Sequence, residues 1–439
     1  MKSILVKLCK LFSVRMLAIG LTFLQTIAIT QVFGSEVFGL LSFALSISAL
    51  LVLVLSAGLD QVLMRDIARI GKDVVAKSER WKDIWRLIKR FVLPVTLFVT
   101  LGGGMTVTYT PLAGAYQQTL LVVFILLPVI LSRKYLEAMC QGTKQVIRSI
   151  MGSQIVYPLL MILGAAYVWC FGVNPNSITM SFVYAVALTG SMFASVLLIA
   201  GTLKKIGANT DVSTIDNELH ASPGERKLFL SGIHLSLVSL GFVLGQHIDV
   251  LLMGVLSTPE DVALVRVAAR VAEIAGLMRA IIILQYKPLM AEAYGKGDLK
   301  LLQQHATFMV KIFLATGIPI TIGLWIFAEN VMLVFGSEFV AGAWAMRIYI
   351  LGVLFLLLCG PCNSILALTD NEKKAGQFVW VAIIVNIALD ILLIPEFGAI
   401  GCGFANMFSM MVLGILSVRY ARKKLNIETT ILSVLNYKV

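Results

Sequence analysis

Apolar residues in this chain come in long unbroken runs, not in the alternation of a strand or the one-sided stripe of a surface helix. LAIGLTFLQTIAITQVFG (17–34), QTLLVVFILLPVILS (118–132) and QFVWVAIIVNIALDILLIP (377–395) are examples. A helix of about 20 such residues crosses a hydrocarbon layer of about 30 Å. Twelve spans are predicted, near 11–33, 37–59, 91–110, 119–138, 150–171, 179–201, 228–256, 262–284, 306–328, 343–368, 377–395 and 399–420. The break KKIGANTDVSTIDNELHASPGERK (204–227) divides them six and six. An even number in each half starts both halves on the same side, which suits parallel repeats about an axis along the membrane normal. The expected organisation is a six-helix N-terminal lobe (1–203), a cytoplasmic linker (204–227), a six-helix C-terminal lobe (228–424) and a cytoplasmic tail (425–439). The opening MKSILVKLCKLFSV is signal-like but lacks a small-residue cleavage site, so it reads as a retained first helix.

Composition agrees: 59% of the 439 residues are apolar and 14% are charged, against about 25% charged in soluble domains. The net charge of +12 is not a nucleic-acid footprint, because Lys and Arg concentrate in alternate short loops. Nine of them lie between Arg65 and Arg90, and others follow the fourth, sixth, eighth, tenth and twelfth spans. The loops near Ser35, Pro111, Pro175, Pro259, Ser337 and Glu396 contain none. By the positive-inside rule both termini are cytoplasmic. The six cysteines imply no disulfide framework. Cys359 and Cys362, a CxxC inside an apolar run, read as small-residue helix packing in preference to redox or metal chemistry.

The eighth span, 262–284, departs from this plainness. Its eleven Val, Ile and Leu residues favour insertion by about 3–7 kcal/mol at roughly 0.3–0.6 each. Arg266, Arg270, Glu273 and Arg279 oppose it by up to about 2.5–3.5 kcal/mol each. The charges match or outweigh the apolar residues, so this helix cannot face lipid all round. Spacings of four and three put Arg266, Arg270 and Glu273 on one stripe. Asp249 on the seventh span lies at the same depth and is the expected partner. Two readings stand: a closed salt bridge, or a wet cavity with surplus positive charge. One acid cannot neutralise Arg266, Arg270 and Arg347 together, which favours the cavity. Arg15 either snorkels to the inner headgroups or lines that cavity; Arg279 and Lys311 are within snorkelling reach.

Other polar positions are weaker signals. His234 and His247 read as hydrogen-bonded core residues before proton carriers. Asn386 and Asp390, one turn apart, suit either a bound cation or a helix–helix pairing. GFVLG (241–245) has GxxxG spacing, which permits close packing or a bend. Aligning Ala44 with Ala268 sets Ser42 and Ser46 opposite Arg266 and Arg270, so the halves differ chemically at one level. A planar, permanently charged guanidinium suits phosphate, and a cationic cavity therefore points to an anionic substrate. The sequence contains no hydrolytic motif, metal-ligating motif, ATP loop or cofactor signature, so transport would draw on gradients or on downhill supply.

The segments FGSEVFGLLSFALS, SAGLDQVLMRDIA, HIDVLLMGVLSTPEDVALVRVAARV, LVFGSEFVAGAWAMRIYILG and VNIALDILLIPEFGAIGCGFA, in this order over about 400 residues, resemble O-antigen and polysaccharide flippases. These belong to the multidrug/oligosaccharidyl-lipid/polysaccharide exporter superfamily. Ala263 and Val265 depart from that pattern, which often has Gly and Tyr there. The resemblance implies an all-α integral membrane protein of twelve helices, V-shaped around a central cavity, in a bacterial inner membrane. It implies transfer of an undecaprenyl-pyrophosphate-linked glycan to the periplasmic leaflet by rocking of the lobes, without enzymatic chemistry. Arg266 and Arg270 would contact the phosphates, with Arg15 and Arg347 secondary. Asp249, Glu273 and Asp390 would serve as charge partners or in coupling to Na⁺ or H⁺. The implied partners are membrane lipids, a polysaccharide polymerase and a chain-length regulator, with no nucleic acid. A cation-coupled drug exporter would need cavity acids, and the first six spans show no clear intramembrane acid. A glycan polymerase or ligase would need a sizeable outer loop, and every outer loop is short.

Overall fold

Long apolar runs become helices because in lipid each backbone N–H and C=O must be satisfied within its own segment. A computed structural model of the chain describes residues 2–70, 74–109, 114–143, 145–208 and 225–436, and among these there is no strand. Most of the expected linker (209–224), the end of the tail (437–439) and the side chain of His234 lie outside the described residues. The helices are α1 (Lys2–Leu55), α2 (Leu59–Ile70), α3 (Val74–Leu87), α4 (Leu93–Tyr109), α5 (Gly114–Gly142), α6 (Val146–Ile150), α7 (Tyr157–Cys170) and α8 (Ser177–Ala208). They continue as α9 (Glu225–Leu256), α10 (Pro259–Gly295), α11 (Leu299–Ile326), α12 (Ala328–Leu333), α13 (Ala343–Cys359), α14 (Cys362–Leu368), α15 (Glu372–Leu425) and α16 (Leu432–Asn436).

Hydroxyls inside these helices bond back to their own turn, as Ser46 Oγ does to the Ser42 carbonyl (2.9 Å) and Thr321 Oγ1 to that of Gly317 (2.6 Å). Nine helices among the described residues are long and apolar enough to cross a membrane. Two of them contain a break. Gly34 (φ 77°) interrupts α1 and Gly398 (φ 52°) interrupts α15, at the places where two predicted spans adjoin. α10, 37 residues long, is not among the nine. The chain is a multi-pass, all-helical membrane protein. Its surface carries Phe98, Tyr109, Trp169 and Phe182, while Asp390 is wholly buried, the reverse of a water-soluble protein.

The chain forms two compact units, 1–243 and 244–439. The division falls inside α9, not in the 204–227 segment that sequence singled out as the linker. The cause is local. Gly58 (φ +67°) comes so close to Gly232 that a Cβ there would meet the Gly232 carbonyl oxygen at 2.0 Å. Around that crossing, Gln61 donates to Ser239 (2.5 Å), Arg65 to Ser231 (3.0 Å) and Ser236 to the Leu53 carbonyl (3.3 Å). The first half of α9 is thereby held against the α1–α2 turn. Leu59, Val62, Leu63 and Ile67 of α2 pack with Ile84, Leu127 and Met139 to form the core beneath it.

In the C-terminal unit the core includes Met290, Leu302, Phe313, Leu357, Ile365 and Ala421. The stretch expected as a tail folds back on this core. Gln303 Nε2 donates to the Glu428 carbonyl (2.7 Å), and the Glu428 N–H donates to Gln303 Oε1 (2.8 Å). The Ile431 N–H reaches the Leu358 carbonyl (3.2 Å). Burial opposes ionisation of Glu428, but Arg422 and the Thr430 hydroxyl and N–H outweigh it and hold its carboxyl below the ordinary range.

Candidate functional site

α10 starts where its sequence dictates. The Thr258 hydroxyl accepts from the Asp261 N–H (3.3 Å), Pro259 occupies the first turn, and Glu260 and Asp261 face the positive helix end. Ala263, Val265, Val267, Ala268, Val271 and Ala272 form its buried face. Arg266 and Arg270 are half-buried beside that face, and Glu273 is exposed. Arg270 Nη1 pairs with Glu273 Oε2 at 3.0 Å. Arg266 makes neither a hydrogen bond nor an ion pair among the described residues. The stripe thus carries two guanidiniums and one carboxylate, and the surplus charge sits on Arg266.

The expected pairing of Asp249 with these arginines does not occur. Asp249 Oδ2 instead accepts from Tyr349 Oη (2.7 Å) and Asn406 Nδ2 (2.9 Å). The Tyr349 hydroxyl also contacts Cys402 Sγ (3.2 Å), and Asn386 Nδ2 donates to Asp390 Oδ2 (3.2 Å). Ligand atoms of Asp249, Asp390 and Cys402 lie within 4.8 Å of one another. Depth along a helix is readable from sequence, but rotation about its axis is not, and rotation turns Asp249 toward α13 and α15. The break at Gly398 lets the two halves of α15 meet at this point: Asn386 and Asp390 come from one side of it, Cys402 and Asn406 from the other.

This acidic centre contains no basic side chain among the described residues. Asp249 Oδ1, Asp390 Oδ1 and Asn406 Oδ1 are buried without a hydrogen-bond partner among the described residues. Two carboxylates so close together in a buried site repel unless a cation lies between them. Oxygen atoms from two carboxylates and two amides, beside a phenol, form a donor set suited to a hard cation.

The remaining candidates lie elsewhere. Arg347 pairs with Glu329 (3.1 Å) and donates to the Trp325 carbonyl (3.3 Å). Its guanidinium also lies against the rings of Trp325 and Trp344, 5.7 and 4.8 Å from their centroids. Its Nε and Nη2 are engaged, which separates it from Arg266. Arg15 is exposed on α1, in the other unit. The N-terminal unit holds a pair that the sequence reading did not single out: Arg133 contacts Glu137 (3.5 Å) within the span Tyr116–Gly142 and lies over the Tyr157 ring (5.6 Å). The first six spans therefore do contain an acid, although it faces an arginine. Spacing of four was the available signal for this pair. Tyr349 and Asn406 had none, because each depends on a contact between helices distant in sequence.

The family model described as "Polysaccharide biosynthesis protein" matches residues 5–294. The chain belongs to this family. A second model, "Lipid II flippase MurJ", matches residues 223–438. The family member is 22% identical over 246 residues to the "Probable low-salt glycan biosynthesis flippase Agl15" of Haloferax volcanii, covering 56% of this chain and 51% of that protein. It is 24% identical to an uncharacterized membrane protein of Methanocaldococcus jannaschii over 31% of this chain and 27% of that one. The chain thus spans about half the length, or less, of these curated relatives. Among solved structures, an inward-facing multidrug resistance MATE transporter of the MOP superfamily aligns with TM-score 0.75 at 14% identity, covering 93% of this chain and 94% of that one. Lipid II flippase MurJ in an inward closed conformation aligns with TM-score 0.69 at 13% identity, covering 95% and 87%. These likenesses establish the fold the family member shares with such transporters.

Proposed function

We propose that this protein is a flippase that moves an undecaprenyl-pyrophosphate-linked oligosaccharide, an O-antigen or related repeat unit, from the cytoplasmic to the periplasmic leaflet of a bacterial inner membrane. Twelve crossings in two six-helix lobes, with both termini cytoplasmic, would rock to alternate access to a central cationic cavity. The lipid tail stays in the bilayer while the anionic head group crosses. A polysaccharide polymerase and a chain-length regulator would act on the delivered unit.

The observation that carries this reading is Arg266, a guanidinium on a membrane helix with no hydrogen bond or ion pair among the described residues. Burying a charge without a partner is costly, and a pyrophosphate offers the paired acceptors that a planar guanidinium fits. Arg270, already joined to Glu273, exchanges that exposed carboxylate for the substrate. Family membership and the name of the Haloferax relative support a glycan cargo. Asp249 and Asp390, with Asn386 and Asn406, form the coupling site for Na⁺ or H⁺. A cation-coupled exporter of small molecules draws on the same acidic centre, but the surplus charge on α10 favours an anion. In cells deleted for the gene, Arg266→Ala should fail to restore surface glycan although the protein reaches the membrane; full restoration would overturn the assignment.

A further inference from the structure

The helix that leads into the third predicted span is longer than a membrane needs. From Arg80 to Tyr109 it runs for 30 residues, about 45 Å at 1.5 Å per residue, against a hydrocarbon layer of about 30 Å. With the exposed Tyr109 at one membrane edge, roughly ten residues at the other end, 80–89, stand outside the hydrocarbon. They comprise the end of α3 and the start of the π turn Ile88–Val92 that joins it to α4.

One face of this protruding end is core: Ile84, Leu87 and Ile88 are buried together with Leu63 and Leu127. The other face carries Lys82, Trp85, Arg86 and Lys89, spaced i, i+3, i+4 and i+7 and all exposed. Arg90 and Phe91 continue it, and beyond them Val95, Leu97, Phe98 and Leu101 present apolar surface outward. Between 82 and 90 there are four bases and one acid. That acid, Asp83, is taken by Arg86 (2.7 Å) and approached by Arg80 (4.0 Å), which also pairs with Asp66 (2.7 Å). Lys82 and Lys89 form no ion pair among the described residues. The Lys89 ammonium lies over the Trp85 ring (5.5 Å), and Trp85 stacks on Trp81 (5.7 Å). The Arg90 guanidinium lies over Phe91 (5.4 Å), which packs on Phe229 of α9 (5.5 Å).

A face turned only to water has no reason to expose Trp85 and Phe91, and a face turned only to lipid tails could not carry four bases. Both kinds of side chain belong where polar and apolar layers meet. An indole is amphipathic, and a lysine stem can lie in lipid with its ammonium among the phosphates. We infer that this stripe binds an anionic phospholipid. The Lys82 and Lys89 ammoniums hold its phosphate, Trp85 lies at the level of its esters, and its acyl chains run along α4 over Phe91, Val95 and Phe98. The surplus of base selects an acidic headgroup over a zwitterionic one, and by the positive-inside reading the leaflet is the inner one. The ligand is a bilayer lipid and not the cargo, because the stripe belongs to the N-terminal unit and runs straight into surface suited to hydrocarbon.

The test is native mass spectrometry of the full chain released from detergent, titrated in parallel with phosphatidylglycerol and phosphatidylcholine. Thermal melting reports whether each variant folds. The wild type should bind phosphatidylglycerol more tightly, and Lys82→Gln/Lys89→Gln should lose about 30-fold of that affinity with phosphatidylcholine unchanged. That factor is roughly 2 kcal/mol at 1.36 kcal/mol per decade, as two lysines at a charged surface supply. Lys82→Arg/Lys89→Arg should keep the preference, since charge is what is required. Arg266→Ala should keep it too, which separates this face from the proposed cargo site. Equal affinities of the wild type for the two lipids, or a folded double Gln variant that retains the full preference, would overturn the inference and leave the stripe a solvated face. Loss of the preference in Arg266→Ala would also overturn it, by placing the lipid on α10.

Discussion

Arg266→Leu should make the protein more stable and less able to bind its substrate. Leucine keeps much of the volume of the arginine stem, and the neighbours of Arg266 along α10 are Ala263, Val265, Val267 and Val271, all buried. A guanidinium held there with no hydrogen bond or ion pair among the described residues incurs a desolvation cost of several kcal/mol when fully buried. Because the side chain is only half-buried, about 1–3 kcal/mol of that should be recovered by an apolar replacement. In binding, one charge-assisted contact contributes roughly 1.5–3 kcal/mol, or about 10- to 150-fold in affinity at 1.36 kcal/mol per decade. The assay is thermal melting of both proteins in detergent, in parallel with titration of undecaprenyl pyrophosphate by native mass spectrometry. The expected signature is a raised melting temperature with affinity down by at least an order of magnitude. A lowered melting temperature with unchanged affinity would refute the reasoning, because Arg266 would then be held by the fold and not kept for a ligand.

The other predictions address separate parts of the structure. Ligands of the folded state stabilise it by RT ln(1 + [L]/Kd), about 2.7 kcal/mol at a hundredfold excess over Kd, so NaCl should raise the melting temperature of the wild type above that in choline chloride, and Asp390→Asn should abolish the difference; a variant that still responds would exclude this site. Since the Glu428 carboxyl is held below its ordinary range, the contribution of the returning segment is fully present above the ordinary carboxylate pKa and is lost as pH falls through the lower folded value. Hydrogen exchange over 426–431 should accelerate across that acidic window in the wild type, and much less in Glu428→Gln. Gly58→Ala should destabilise far more than Gly172→Ala. Both have positive φ, which costs about 1–2 kcal/mol for a residue with a Cβ, but only at Gly58 would the Cβ strike a backbone oxygen; nothing lies within 4 Å at Gly172. Melting curves of equal depression would show that the Gly58–Gly232 approach is not needed.

Much of the fold is legible because lipid allows so few solutions: each apolar run had to become a helix, and glycines at 34 and 398 mark where one long helix bends. The unpartnered charge of α10 was also legible, since four ionisable residues in one span oppose insertion whatever surrounds them. The partners were not. Asp249 has the right depth for Arg266, yet its rotation about the helix axis delivers it to Tyr349 and Asn406. Asn386 and Asp390 could be paired from their spacing of four, whereas Cys402 and Asn406 join them only because a bend folds α15 back on itself. Arg347 was read as a cavity charge: its spacing of three from Trp344 on α13 was visible in the sequence, but no local pattern places Trp325 against it. The division of the chain inside α9 follows from two glycines 174 positions apart, Gly58 and Gly232, that matter only in combination.

The kink at Gly398 has a thermodynamic corollary. Anything that grips Asp390 on one arm and Asn406 on the other must favour one angle between the arms, and by reciprocity that angle sets how tightly it is gripped. On the proposed coupling role, sodium or proton concentration would select the shape of α15, and a cargo that forced the arms to another angle would expel the ion without ever touching it.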